Sequence, residues 1–441
     1  MIIKNNLKNL NTPHNLKIKY SIEDFFSLNM FNPINQKNYF NSYDLKIFKD
    51  KSFRTHVFGM GGSSLSSKLL GQFIDPSSIN KKLFFYDNPS PTRIKNLLSD
   101  LKIFKDKSFR THVFGMGGSS LSSKLLGQFI DPSSINKKLF FYDNPSPTRI
   151  KNSLSDLKVG KKDKFIFISK SGNTIETKYF LHLVIKILKY KKISNYYENF
   201  IFITEDKNSY MKKFAKKNNI LCYNHDPKIG GRFSIFSITA LLPLILVGYP
   251  LNKILKSLKK GKKIFFKNHF KLSKYICDAI AYEKKCELNI VVGLTYHDKI
   301  NTVNEWYRQI FAESLGKNEN AKNYISSYGS IDQHSQFQLY IDGPYDKNFV
   351  FFKIDNKKKS ILSDSTLIKD HNLMNVLEEG AIKTLTQKKF MVTQISIKDD
   401  LDDYCSLLYL LIFDIYLRSI YEKVNFLDQP AVEILKKNTK A

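Results

Sequence analysis

Four side chains in this 441-residue sequence stand in contexts suited to moving protons: Arg232 in KIGGRFS, Glu313 in NEWYRQIFAESLGK, His334 in SIDQHSQFQLYIDGP and Lys436 in LDQPAVEILKKN. A carboxylate shielded from water makes a general base. An imidazole shuttles protons near neutral pH. A guanidinium held on a glycine hinge at the edge of buried surface stabilises developing negative charge. Taken singly, each also has an ordinary reading. Arg232 could cap a helix or pair with a carboxylate, Glu313 could be a helix-end glutamate, and His334 could be merely solvated. Lys437 follows Lys436 directly, and spacing from Gln429 favours Lys436.

Two turns have the chemistry of an anion site. The apolar run THVF leads into Gly115, Met116, Gly117, Gly118, Ser119 and Ser120, and a helical pattern follows. Such a turn aims backbone N–H groups and the positive end of a helix dipole at a phosphate. The run FIFIS ends in Ser169, Lys170, Ser171, Gly172, Asn173 and Thr174, again before a helical pattern. Loops at the carboxyl ends of neighbouring parallel strands converge on one crevice. Gly117, Gly118, Ser119, Ser169, Lys170, Ser171 and Thr174 are therefore the candidate phosphate ligands. Ser120 stands where the dinucleotide fingerprint needs its last glycine, and no GxxxxGK[ST] loop occurs, so nucleotides fit poorly.

GMGGSS followed by SKSGNTIET resembles the sugar isomerase domain, and the order of the later motifs resembles phosphoglucose isomerase, from about residue 100 to the C-terminus. The resemblance implies reversible isomerisation of glucose 6-phosphate and fructose 6-phosphate, in glycolysis and gluconeogenesis, without metal or organic cofactor. It assigns Glu313 as the base that moves a proton between C2 and C1, and Arg232 as the stabiliser of the enediolate. It assigns ring opening to His334, with Asp332 as a candidate orienter, phosphate contact to Gln429, and ring oxygen or enediolate contact to Lys436. It also implies a homodimer in which the histidine arrives from the second subunit. Ala312 and Ala431 stand where the family carries glycine. Two relatives in function remain alternatives: an isomerase that also takes mannose 6-phosphate, and a non-catalytic sugar-phosphate-binding regulator.

Those residues need a scaffold. Strand patterns alternate with amphipathic helices through both halves, which indicates an α/β protein with two parallel sheets; the resemblance implies two sugar-isomerase-type domains, each a parallel sheet flanked by helices. The second half offers ELNIVVGL, NFVFFKI and KKFMVTQISI as strands and SLLYLLIFDIYLRSIY as a helix buried on most faces. Phe233 to Leu251 approaches bilayer-spanning length, but its serines, threonine and prolines favour a buried core helix.

The net charge of +30 raises nucleic acid as a partner. The lysines are spread along the whole chain, interleaved with Asn and Ile, and no single segment concentrates them with aromatic residues as a strand-binding groove would, so solvated lysines are expected instead, with neither nucleic acid nor membrane bound. Four cysteines without CxxC spacing suggest no zinc site or disulfide framework. No secretory signal is recognised at the N-terminus, so a cytoplasmic location is expected.

One feature has no place in that scaffold. The segment from Asp44 to Asn96 recurs unchanged from Asp100 to Asn152, and the match runs on to Lys102 against Lys158 with only Leu97/Ser153 differing. Solenoid units diverge and come in threes or more, so this pair is a duplication. Only the second copy runs directly into KKDKFIFIS, which places the working site there, with the first copy as alternative supplier. The organisation read from the sequence is an N-terminal extension (1–43), a duplicated unit (44–99), a first domain (100–250), a second domain (251–425) and a C-terminal active-site segment (426–441).

Overall fold

The computed structural model describes residues 1–7, 10, 16–35, 55–58, 83–86, 110–131, 138–147, 150, 163–319, 321–355 and 373–439, apart from the side chains of residues 55–58 and 83–86 and of Glu433, Lys436 and Lys437. In chain order, β1 (Ile2–Asn5) and α1 (Ile22–Ser27) precede β2 (Thr55–Phe58) and β3 (Leu83–Tyr86) of the first copy. The first domain follows: β4 (Thr111–Phe114), α2 (Gly118–Ile130), β5 (Leu139–Tyr142), β6 (Lys164–Ile168), α3 (Ile175–Tyr190), β7 (Phe200–Thr204), α4 (Tyr210–Lys217), β8 (Leu221–Asn224) and α5 (Ile238–Leu246). The second comprises α6 (Leu251–Lys285), β9 (Ile290–Thr295), α7 (Asp298–Leu315), β10 (Asn323–Tyr328), α8 (Phe337–Asp342), β11 (Lys347–Asp355), α9 (Leu373–Gln387), β12 (Val392–Lys398), α10 (Leu401–Glu422) and α11 (Pro430–Asn438).

The strands of the first sheet lie in the order β5-β4-β6-β7-β8, all parallel. Their runs (THVF, LFFY, KFIFI, FIFIT) are apolar on both faces because helices cover both faces, as parallel sheets require. The second sheet runs β1-β12-β11-β9-β10. Its four C-terminal strands repeat the 2-1-3-4 order of the first sheet and are parallel.

The fifth place differs. In the first sheet β8 fills it, whereas in the second it goes to β1, antiparallel to β12 with Ile3 opposite Ile395. Within residues 1–43, β1 closes a sheet edge, and Phe25 and Phe31 lie buried among Phe265, Tyr409 and Phe413. A four-residue strand is too short to show a period. The motif strand NYISSY (β10) also escapes a hydrophobic pattern, since it is an edge strand with polar residues on one face.

The long helices α6 and α10 pack together at the centre of the molecule. Along α10 nearly every residue from Asp403 to Ser419 is buried, so this helix, apolar and long enough to cross a bilayer, is a core element here. The segment after Phe233 becomes α5, nine residues with Pro243 inside, also buried.

Candidate active site

In each sheet the chain leaves the first strand to one side and returns on the other, which opens a crevice at the carboxyl ends of the two strands where the direction reverses. In the first sheet those strands are β4 and β6. Gly115 packs against the carbonyl of Ile168, so the glycine turn after β4 and the hydroxyl loop after β6 are neighbours.

Gly117 holds φ +51° and caps α2, a conformation that favours glycine. A Cβ there would stand 2.7 Å from Gln309 Nε2. A Cβ on Gly118 would collide with the carbonyl of Gly231 and come 2.7 Å from the Arg232 nitrogen. The two glycines thus let the turn lie directly against the Gly230–Arg232 hinge and α7. Ser234 locks the contact, donating to the carbonyls of Gly231 (2.7 Å) and Gly118 (3.2 Å). Because the amides of Ser119 and Ser120 bond back to Met116 and Gly117, the pull on an anion rests here on the helix dipole and the half-buried Ser119 side chain.

In the hydroxyl loop, Ser169 and Thr174 stand 2.7 Å apart, and Ser171 is 3.5 Å from each. The Gly172 amide donates to Ser169 Oγ (3.1 Å) and the Asn173 amide to Ser171 Oγ (3.2 Å). Gly172, at φ +67°, has no room for a side chain against Ser209 and Thr204. Three hydroxyls are thereby grouped at the N-terminus of α3. Lys170, read as a fourth ligand, turns its ammonium to Glu205 (3.7 Å), which also takes Lys207 (2.5 Å). Burial lowers the Lys170 pKa, partly offset by Glu205. Glu205 and Lys207 line a cavity of about 480 Å³ with Asn224, His225 and Asp226 beyond β7 and β8.

Arg232 gathers the remaining groups. Its side chain is only 1 % exposed, and all its donors are engaged. Nε donates to Ser314 (2.9 Å), Nη1 to Glu313 Oε2 (3.2 Å) and Gln429 Oε1, and Nη2 to the carbonyls of Phe426 (2.7 Å) and Asp428 (3.0 Å). Burial lowers its pKa and the neighbouring Glu313 raises it. Trp306 Nε1 donates to the Arg232 carbonyl (2.9 Å), fixing the hinge on α7. Lys317 pairs with Asp428 (2.7 Å) and holds that carboxyl below the usual carboxylate range, which anchors the segment before α11.

Glu313 is 30 % exposed, so the carboxylate meets both a buried cation and the open cleft. Gln309 Nε2 donates to its other oxygen (2.8 Å), while Gln309 Oε1 is buried with no partner among the described residues. Gln309 thus touches both the base and the glycine turn, although no sequence motif singled it out. Its place four residues before Glu313, on the same helix face, is the signal that points to it.

Arg232, Glu313, Gln429, Gly117 and Gly118 are therefore brought together, with the Ser169–Thr174 loop adjoining. His334 is not among them: it is exposed, between the helical turn Gly329–Asp332 and α8. Asp332 is occupied with Ser327 (2.6 Å), the Tyr328 amide (2.8 Å) and Ser335 (3.1 Å). Among the described contacts none joins it to the imidazole. Lys436 lies on α11, its side chain outside the described residues. Among the described residues no group of three or more His, Cys, Asp or Glu could hold a metal ion.

Two doubly-wound, mainly parallel sheets, the first with its crevice lined by glycine and hydroxyl loops, define the sugar isomerase fold. The match to solved structures agrees in fold: a hypothetical protein of Thermus thermophilus (TM-score 0.66, 22 % identity, 85 % of this chain and 92 % of that one) and a glucose-6-phosphate isomerase of Chlamydia trachomatis (TM-score 0.63, 18 % identity, 78 % and 72 %). The family model described as phosphoglucose isomerase matches residues 106–343. A glucose-6-phosphate isomerase of Campylobacter jejuni is 31 % identical over 365 residues, covering 77 % of this chain and 87 % of the relative. One of Methanocaldococcus jannaschii is 28 % identical over 360 residues, covering 78 % and 87 %. The chain belongs to the phosphoglucose isomerase family.

Proposed function

We propose that the protein interconverts glucose 6-phosphate and fructose 6-phosphate, and that the Arg232–Glu313 pair facing the glycine turn performs the proton transfer. The convergence of Gly117, Gln309, Glu313 and Arg232 on one cleft carries this reading. The phosphate is held by the Ser169, Ser171 and Thr174 hydroxyls and the dipoles of α2 and α3. His334, with Lys436, opens the ring. Glu313 then takes the C2 proton and returns it to C1. Before transfer the Arg232 cation faces an ionised carboxylate. As the proton moves, Glu313 becomes neutral and the negative charge shifts to the enediolate, so the guanidinium changes partner without moving. Gln309 Oε1, buried and unpartnered, is placed to accept a sugar hydroxyl.

The direct test is conversion of fructose 6-phosphate by purified protein, read by a dehydrogenase coupled to glucose 6-phosphate. Glu313→Gln should lower kcat by roughly a hundredfold or more, the scale of a positioned acid/base. A folded protein without turnover, or a near-normal Glu313→Gln variant, would overturn the assignment.

His334 reaches a site in a second copy of the chain on this reading. Its exposure supports that, as do Ile331 and Leu339 beside it, 64 % and 52 % exposed. Mixing two inactive variants, Glu313→Gln and His334→Ala, should regenerate activity, because a mixed dimer contains one site with both groups intact. Failure to recover any turnover from mixed dimers rules the shared site out. The four cysteines are joined in no disulfide, which fits a reducing cytoplasm.

A further inference from the structure

The first sheet has one edge for a β-strand pair and the chain contains two identical claimants. β4 docks on β6 from Thr111 opposite Lys164 to Phe114 opposite Phe167, with Thr111, Val113 and Phe114 fully buried. β2 and β3 pair with each other as a separate two-stranded sheet. Their register, Thr55↔Leu83 to Phe58↔Tyr86, is the register of Thr111↔Leu139 to Phe114↔Tyr142. Among the described residues, β2 and β3 therefore form the same parallel pair with no strand on the β6 side.

We propose that the two copies exchange on β6, so that either β2–β3 or β4–β5 completes the first sheet. Because residues 44–96 and 100–152 are identical, every contact one unit makes with β6 and its surroundings is open to the other. Connectivity does not break the tie. With β4 docked, residues 36–110 span from the N-terminal helices to the strand and residues 143–163 return to β6. With β2 docked, residues 36–54 and 87–163 do so. One linker shortens as the other lengthens by the same 56 residues, and loop-closure cost grows only with the logarithm of length, so the two changes nearly cancel. An isolated strand pair is marginal in water, so the undocked unit gains by capturing β6.

Paired cysteines placed by the β4–β6 register test this independently of catalysis. Val113→Cys with Ile166→Cys reports the second copy on β6, and Val57→Cys with Ile166→Cys reports the first. Under mild oxidation followed by peptide mapping, both cross-links should form, each in a substantial fraction of molecules. A 113–166 link near completion with no 57–166 link would overturn the proposal. Activity gives a second reading that rests on the isomerase assignment. Val57→Asp and Val113→Asp should each keep at least about a third of parental turnover, and the double variant should lose it roughly a hundredfold or more. If Val113→Asp alone abolishes turnover or folding while Val57→Asp is silent, the first copy cannot substitute. A parent chain without isomerase activity refutes the functional reading, while the cross-links still decide the exchange.

Discussion

The two sheets share a strand order but not a crevice. At the first reversal point the loops carry Gly115, Gly117, Gly118, Ser169, Ser171 and Thr174, small residues that leave the strand ends open. At the second, β9 runs into Tyr296, 1 % exposed with its ring against Gly329, and His297, whose Nε2 lies 3.7 Å from Glu378. Glu378 is fully buried, Lys353 stands 3.4 Å away, and neither carboxylate oxygen has a hydrogen-bond donor among the described residues. Topology offers a binding crevice in both places. Among the described residues the first crevice is lined by small side chains and the second by bulky ones, which supports the proposal that the first is used, and the second sheet contributes the far end of α7, where Glu313 lies.

Arg232 joins the two halves, so its loss should have the largest effect on both. Arg232→Ala strands the carbonyls of Phe426 and Asp428 and leaves Glu313 without its cation. Removing one partner of a buried pair costs about 3–5 kcal/mol, which should appear in urea unfolding together with loss of turnover. Unchanged stability would mean that the C-terminal segment docks by other means.

The open crevice is tested by Ser169→Ala combined with Thr174→Ala. Hydrogen bonds to a charged group contribute about 1.5–3 kcal/mol each, so KM should rise at least tenfold while kcat changes little. The filled crevice is tested by Glu378→Gln. We expect stability to shift by about 1–3 kcal/mol, the cost range of a buried unsatisfied group, with KM within twofold. A large rise in KM would show that the second crevice also binds substrate and would erase the contrast.

The smallest effect belongs to the rim pair. Lys317→Ala should cost at most about 1 kcal/mol, as exposed ion pairs do. Lys317 depresses the Asp428 pKa, so the stability it contributes is complete above the ordinary Asp value near pH 4 and fades as pH falls through the lower folded value. The difference between the parent and Lys317→Ala, followed by urea titration, should shrink below about pH 4.

What could be read from the sequence was local. The strand–turn–helix order around GMGGSS and SKSGNT, the three apolar strands of the second half and the buried α10 each follow from a period or turn chemistry within some twenty residues. The partners of Arg232 could not be found that way, because Gln429 and the carbonyls of Phe426 and Asp428 lie nearly two hundred residues further on. The motif marks the arginine as fixed, but only the fold shows that its donors are engaged. Lys170 fits a phosphate ligand by position, yet Glu205, brought close by the pairing of β6 with β7, claims its ammonium. β1 and β10 were missed for opposite reasons, one too short for a pattern and the other too polar.

The placement of β1 also sets an order of events as the chain is made. Ile2–Asn5 leave the ribosome about 390 residues ahead of their partners on β12, roughly 20–80 s at ordinary rates of synthesis. Throughout that interval β1 lacks its partner, and the second sheet keeps a bare edge until β1 and β12 meet.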